Sequence, residues 1–175
     1  MVNLVKISKS EEETQKVAGN LAVKIIKGPA SPRLAGLRRA SVIALEGELG
    51  AGKTTFVKGF AKALSVKVKV KSPTFTLMKE YKIPSLKKPQ NTNHKTQINP
   101  KFKTSNSKHL IHIDCYRVKD HKDLAILDLK TIFNPPDNIV LIEWPERISK
   151  ILPKKLIRVH IDHVSKNKRK IGIVM

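Results

Sequence analysis

The sequence predicts an α/β protein with a mostly parallel central sheet, helices on both faces and a C-terminal β-hairpin. Through the first two-thirds of the chain, apolar runs of strand length alternate with segments of helical period, as in βαβ units. A glycine-rich turn joins the run at 41–47 directly to the amphipathic segment at 54–65. Finally, the alternating segments 156–164 and 169–175 flank four polar residues, which predicts the hairpin.

The N-terminal part predicts a short strand followed by a helix. Residues 2–7 are mostly apolar, and Ser10 and Glu13 have the spacing of a capping box. Apolar residues then recur every three or four positions, so we expect a helix from about Glu11 to Lys27. The stretch 28–40 contains two prolines and three arginines and predicts a loop.

The middle of the chain predicts further alternating elements. The alternating lysines and valines at 67–71 have the period of an edge strand, and 74–83 is also predicted to be extended. Strands are expected at 109–114 and 138–143, with a short helix at about 123–133 between them. Another short helix should begin near Pro145, since proline is favoured in a first helical turn.

Composition narrows the class of protein. The chain has 175 residues, enough for one domain, and 40% of them are hydrophobic, so general disorder is excluded. A single cysteine, Cys115, excludes an intrachain disulfide framework, and we expect it to be a small buried residue in a reducing cytoplasm. No apolar run approaches the ~20 residues that span a bilayer, and the N-terminus turns acidic where a signal peptide would be apolar.

The charge is strongly positive. The chain has 35 Lys and Arg residues and 14 Asp and Glu residues, which gives a net charge of +21. Residues 84–108 contain few apolar side chains, and the stretch from Tyr81 to Ile113 has lysines but no acidic residue. We therefore expect 84–108 to be a basic, mobile loop inserted within a single domain, 1–175.

Residues 47–54, GELGAGKT, match the phosphate-binding pattern G-x-x-x-x-G-K-[ST] in its proper strand–turn–helix context. Glycines let the backbone turn its N–H groups inward, and the helix N-terminus adds the positive end of a dipole. Lys53 can reach the β- and γ-phosphates, and the Thr54 hydroxyl can bind Mg²⁺. The pattern predicts a nucleotide-binding protein of the P-loop NTPase fold.

Hydrolysis needs further groups, and two acids end apolar runs. Asp114 follows LIHI and Glu143 follows IVLI. Because strand carboxyl ends converge on the ligand crevice of such sheets, either carboxylate can face Mg²⁺; the alternative is a strand-end acid that caps the next turn. Trp144, the sole tryptophan, either anchors the core or covers the nucleotide. His112 is expected to be packed or hydrogen-bonded.

Together, GELGAGKTTF, SPTFTLMKEY, HIDCYRV and LIEWPE, in this order, resemble the bacterial TsaE (YjeE) family. The resemblance runs from SEEET at 10–14 to the last segment and leaves out the 28–40 and 84–108 stretches. It implies a cytoplasmic ATPase of tRNA threonylcarbamoyladenosine biosynthesis. Such a protein binds a dimer of the TsaB–TsaD type and hydrolyses ATP to sustain turnover, while the partners modify the tRNA.

The resemblance also implies roles for individual residues. Gly50, Ala51, Gly52, Lys53, Thr54 and Thr55 would hold the phosphates, with Thr54 and Glu143 on Mg²⁺. Asp114 would be the other acid of the reaction centre, and Thr14 would contact the nucleotide. Trp144 and the hydroxyl-rich loop 72–76, which alone is ordinary turn composition, would respond to nucleotide and partner.

Two rival functions remain from the sequence. A small-molecule or nucleoside kinase needs an acceptor pocket and an arginine-bearing lid, for which Arg33, Arg38 and Arg39 are candidates. A nucleic-acid-binding protein, with ATP incidental, fits the charge. Against it, aromatic residues are only 5% of the chain and no RNA-binding motif is present.

Overall fold

The computed structural model describes residues 3–27, 40–84, 108–120, 123–124 and 127–175. Strands and helices alternate along most of these residues. The strands are β1 (Asn3–Ser8), β2 (Ser41–Glu46), β3 (Met78–Ile83), β4 (Lys108–Asp114), β5 (Asn138–Glu143), β6 (Ile157–Ser165) and β7 (Lys168–Val174). The helices are α1 (Glu11–Lys27), α2 (Lys53–Ala63), α3 (Leu129–Phe133) and a 3-10 helix at Pro145–Ile151.

All seven strands form one sheet in the order β1-β7-β6-β2-β5-β4-β3. The pairings of β2 with β6, β2 with β5 and β4 with β5 are parallel. The other three pairings are antiparallel: β3 pairs with β4 at one edge of the sheet, and β7 pairs with β6 and with β1 at the other. The predicted α/β class and C-terminal hairpin are confirmed, but the sheet is mixed rather than mostly parallel.

The core alternates along the strands. Ile43, Leu45 and Leu141 belong to one buried cluster with residues of α1 and α2. Val42 and Ile142 belong to a second cluster, which includes Ile132 of α3 and Ile148 of the 3-10 helix. The central strands are apolar on both sides, as expected of buried parallel strands.

Helices α1 and α2 pack closely through glycine. A Cβ placed on Gly59 of α2 would lie 2.3 Å from the Gln15 Cα of α1, so only glycine permits this approach. The predicted start of α1 is confirmed, since Glu13 N donates to Ser10 Oγ (3.2 Å) and the Glu13 carboxylate accepts from Lys9 N (2.7 Å). The close contact between Gln15 and Gly59 holds the start of α1 against α2.

Several predicted elements differ from the structure. Residues 67–71 form no strand: Val70 is buried and Lys67, Lys69 and Lys71 are exposed, so the alternation reflects one anchored valine in an irregular connection. The extended segment predicted at 74–83 begins as a strand at Met78, and the described part of the helix predicted at 123–133 contains an α-helix at Leu129–Phe133. Nearly all of the 28–40 and 84–108 stretches lies outside the described residues.

Candidate functional site

The loop at 47–54 has the backbone that its glycines predict. Gly47, Gly50 and Gly52 have φ angles of 135°, 78° and 107°, a region that favours glycine. Gly52 directly precedes α2, whose first residue is Lys53. A Cβ on Gly47 would lie 2.3 Å from the Ile161 carbonyl oxygen, so β6 runs directly against the start of this loop.

The Lys53 ammonium lies at the centre of the loop. Its Nζ donates to the carbonyl oxygens of Gly47 (2.7 Å) and Glu48 (2.8 Å). It also lies 3.9 Å from the centroid of the Trp144 ring, which is a cation–π distance. Burial lowers the pKa of Lys53, and the nearby carboxylates, chiefly Glu143, partly oppose this.

Glu143 connects β5 to the first turn of α2. The Thr54 hydroxyl donates to its Oε1 (2.9 Å) and Oε2 (3.2 Å), and His112 Nε2 lies 2.8 Å from Oε1. Glu143 and His112 are both buried. His112 is thus the hydrogen-bonded histidine that the sequence predicts, and its partner is the candidate metal ligand.

Asp114 lies beside Glu143, because the two acids are paired in register at the ends of β4 and β5. Its Oδ2 accepts from the hydroxyls of Ser72 (2.9 Å) and Thr74 (2.5 Å), and its Oδ1 from Tyr116 N (3.0 Å). The Tyr116 contact caps the turn after β4, as the alternative interpretation of a strand-end acid predicts. The carboxylate nevertheless reaches the same cavity as Lys53 and Glu143.

Trp144 is half-buried and adopts a left-handed backbone conformation (φ 60°, ψ 50°) just before the 3-10 helix. Its ring packs against Tyr116, with 5.1 Å between centroids, as well as against Lys53. Trp144 also packs against the second apolar cluster. The side chain therefore joins the core to the site.

These groups surround a cavity of about 320 Å³. It is lined by the phosphate loop and by the two strand-end acids with their neighbours: Leu49, Gly50, residues 52–55, Ser72, Thr74, Asp114, Tyr116, Glu143 and Trp144. A second cavity of about 260 Å³ shares Gly50, Gly52 and Thr55 with the first. Ala51, Thr14 and the β6–β7 turn also line it.

Thr14, in the first turns of α1, is buried at this second cavity. Its Oγ1 lies 2.8 Å from Ser8 Oγ and donates to the Ser10 carbonyl (3.2 Å). All the predicted site residues therefore line one of two adjoining cavities around the phosphate loop.

The oxygen atoms of the first cavity suit a hard cation. Mg²⁺ is typically bound by one or two carboxylates, a hydroxyl and substrate phosphates, not by an all-protein cage. The Thr54 hydroxyl and the Glu143 carboxylate are already adjacent. Among the described residues, no three His, Cys, Asp or Glu side chains cluster into a metal site of their own.

The comparison with known proteins decides the family. The family model "Threonylcarbamoyl adenosine biosynthesis protein TsaE" matches residues 8–171. The chain belongs to the TsaE family. The resemblance inferred from the four motifs is confirmed, and the match runs from β1 into β7.

Relatives named tRNA threonylcarbamoyladenosine biosynthesis protein TsaE are 38% identical in Aquifex aeolicus and 35% identical in Haemophilus influenzae. The first match spans 95% of this chain and 92% of the Aquifex protein; the second spans 71% of this chain and 65% of the Haemophilus protein, just under two thirds. The structure titled "Crystal structure of Bacillus subtilus YdiB" is similar with a TM-score of 0.62 and 25% identity, over 98% of this chain and 84% of that one.

Other residues around this TsaE-family site were not predicted from the sequence. Tyr116 packs on Trp144, and Arg169 contacts the phosphate loop from the C-terminal hairpin. The alternation of apolar and polar residues in the last 20 positions predicts the hairpin. It gives no signal that the hairpin lies beside the phosphate loop. Arg33, Arg38 and Arg39, the candidate kinase lid, lie outside the described residues.

Two further predictions can be compared with the structure. Cys115 is fully buried, and burial raises the pKa of its thiol to about 12, so it is the inert core residue expected. No helix within the described ranges is long and apolar enough to cross a membrane.

Proposed function

We propose that the chain is a cytoplasmic, Mg²⁺-dependent ATPase of the P-loop NTPase fold, with helices on both faces of its sheet, that serves threonylcarbamoyladenosine biosynthesis on tRNA. One observation carries the ATPase assignment: Lys53, Thr54, Asp114 and Glu143 line a single cavity at the phosphate loop. Family membership supports the biosynthetic role. The four residues come from two strand ends, those of β4 and β5, and from the start of α2, so the sheet topology assembles them.

The two cavities suit the two parts of a nucleotide. The backbone N–H groups of residues 50–55 receive the phosphates, and Lys53 exchanges its two carbonyl acceptors for β- and γ-phosphate oxygens. The nucleoside lies toward the second cavity, where Thr14 lines the wall. This arrangement sends the γ-phosphate toward the carboxylates of the first cavity.

The two acids take different tasks. Thr54 and Glu143 would hold Mg²⁺, since the Thr54 Oγ1 and Glu143 Oε1 atoms lie 2.9 Å apart. The ion, when bound, neutralises charge that develops on the transferred phosphoryl group. Asp114 orients the attacking water. Its carboxylate accepts hydrogen bonds from Ser72, Thr74 and the Tyr116 amide, whereas the Thr54 hydroxyl donates to Glu143.

A protein complex of the TsaB–TsaD type is the proposed partner, and tRNA is approached through it or through the basic surface. Ser72 and Thr74 bond directly to Asp114, and Trp144 packs on Lys53. A partner that moves loop 72–76 or Trp144 therefore moves a catalytic group. This linkage supports the proposal that partner binding regulates hydrolysis.

The test is phosphate release from ATP and Mg²⁺, measured with and without the partner dimer and tRNA. We expect release without any added acceptor and an increase with the partners. Lys53→Ala should weaken ATP binding roughly 10- to 100-fold, the loss expected for a charged hydrogen bond. Lys58→Ala, which removes an exposed lysine from the same helix, is the control.

The outcomes separate the candidate functions. Wild-type ATP affinity in Lys53→Ala would reject the phosphate-loop assignment. ATP consumption that depends on a small-molecule acceptor, with transfer of phosphate to it, would favour the kinase instead.

A further inference from the structure

The C-terminal hairpin extends beyond the strand that supports it. Strand β6 pairs with β2 only from Ile157 to His160, opposite Ile43 to Glu46. Residues 161–165 therefore continue past the end of β2, at the level where the chain turns into the phosphate loop. The β6–β7 turn consequently projects beside that loop.

Three contacts join this projecting part to the loop. The Ile161 carbonyl excludes a side chain at Gly47, and a Cβ on Gly50 would lie 3.7 Å from His163 Nε2. The third contact is a hydrogen bond, in which Arg169 Nε donates to the Ala51 carbonyl (3.0 Å). The loop is thus bordered along its length by one hairpin.

Arg169 is the residue that fixes both sides of this contact. Besides Ala51, its Nη1 donates to the carbonyls of Ser165 (3.0 Å), Lys166 (3.3 Å) and Lys168 (3.0 Å). One planar guanidinium therefore closes the β6–β7 turn and ties it to the phosphate loop. All four of these acceptors are backbone carbonyls, and the positive charge of Arg169 lies at the second cavity.

We propose that Arg169 is a positioning residue that locks the C-terminal hairpin onto the phosphate loop and holds residues 50–52 in the conformation that receives phosphate. This inference rests on the proposed nucleotide site and adds to it a residue that lies outside the four sequence motifs. The fork geometry of arginine is essential, because a lysine ammonium keeps the charge but cannot bond Ala51 and the turn carbonyls in the same plane.

The experiment compares Arg169→Ala, Arg169→Lys and the control Lys170→Ala, which removes an equal charge from an exposed neighbouring position. ATP binding is measured through Trp144, the sole tryptophan, and steady-state kinetics separate KM from kcat. We expect both Arg169 variants to bind ATP roughly tenfold more weakly, the scale of one lost charged hydrogen bond. Their kcat at saturating ATP should stay within about twofold of the wild type, because Lys53, Thr54, Asp114 and Glu143 are untouched, and Lys170→Ala should match the wild type.

Amide hydrogen exchange of the ATP-free chain gives a readout that does not depend on nucleotide. Faster exchange at residues 50–53 is expected in both Arg169 variants and not in Lys170→Ala. Wild-type affinity and exchange in Arg169→Lys would overturn the proposal and leave only a charge effect. A wild-type chain that binds no ATP would instead reject the proposed function, while the exchange result would still decide the role of Arg169.

Discussion

His112 is fully buried, and its Nε2 lies 2.8 Å from Glu143 Oε1. Its Nδ1 is also buried and has no hydrogen-bond partner among the described residues. Because an ionised carboxylate only accepts hydrogen bonds, Nε2 of His112 is the donor in this contact and fixes the carboxylate that faces Thr54.

Replacing His112 should consequently impair turnover through Glu143. We expect His112→Phe, which removes the donor while filling the space, to lower kcat about tenfold, as is usual when a partner of a metal-binding side chain is lost. ATP affinity without Mg²⁺ should change little. His112→Gln places an amide N–H near the position of Nε2 and should recover most of the activity. The idea fails if His112→Phe retains wild-type kcat, or if the glutamine variant is no better than the phenylalanine one.

At the scale of elements, the close contact between α1 and α2 predicts that Gly59→Ala destabilises the fold. Helix propensity alone predicts the opposite effect. Alanine is favoured over glycine inside a helix by about 1 kcal/mol, so propensity predicts that Gly59→Ala stabilises α2. The added Cβ would instead meet Gln15 Cα at 2.3 Å, which forces α1 away. We expect a net loss of about 1–3 kcal/mol in the free energy of unfolding, measured by urea denaturation.

Gly172→Ala is the matched control for this substitution. Its Cβ would have no heavy atom within 4 Å, so the change should be neutral or stabilise the fold by up to about 1 kcal/mol. A Gly59→Ala protein as stable as the wild type would show that the helices can separate at no cost.

Local sequence signals predicted the elements around the site well. The capping pair at Ser10 and Glu13 set the start of α1, and the runs ending in Asp114 and Glu143 became adjacent strands. The strand predicted at 67–71 is wrong, because the alternation there corresponds neither to burial, since Val68 is exposed, nor to pairing with another strand. Only Val70 there is buried.

The pairing of strands that are distant in the chain could not be predicted from the sequence. The N-terminal strand β1 pairs with β7 at one edge of the sheet, and the adjacent β6–β7 hairpin brings Arg169 to Ala51. Both depend on contacts between residues more than 100 positions apart, which no local period encodes. The motif residues could be predicted because glycine, lysine and carboxylate chemistry is local to each turn.

On the scale of the whole molecule, part of the excess positive charge lies in a sequence segment that contains none of the candidate site residues. Ile83 of β3 and Lys108 of β4 are partners in an antiparallel pairing, so the segment between them is an insertion within a β-hairpin. Residues 84–107 contain five lysines and no acidic residue. The catalytic candidates all lie elsewhere, so this segment can be altered without touching them.

Replacement of residues 84–107 by Asn-Gly should leave the sheet intact, because this pair favours the tight turn of a two-residue hairpin. It lowers the net charge of +21 by five units. We expect unchanged ATP hydrolysis by the isolated chain but weaker tRNA binding at low salt. The slope of log K against log salt should fall by about 0.7–0.9 for each lysine that contacts phosphate.

A second variant, with the five lysines changed to glutamine at full length, separates the effect of charge from the effect of length and should lose the same affinity. If both variants bind tRNA as tightly as the wild type in a filter-binding titration, the segment has no part in nucleic-acid affinity and the remaining basic surface carries it.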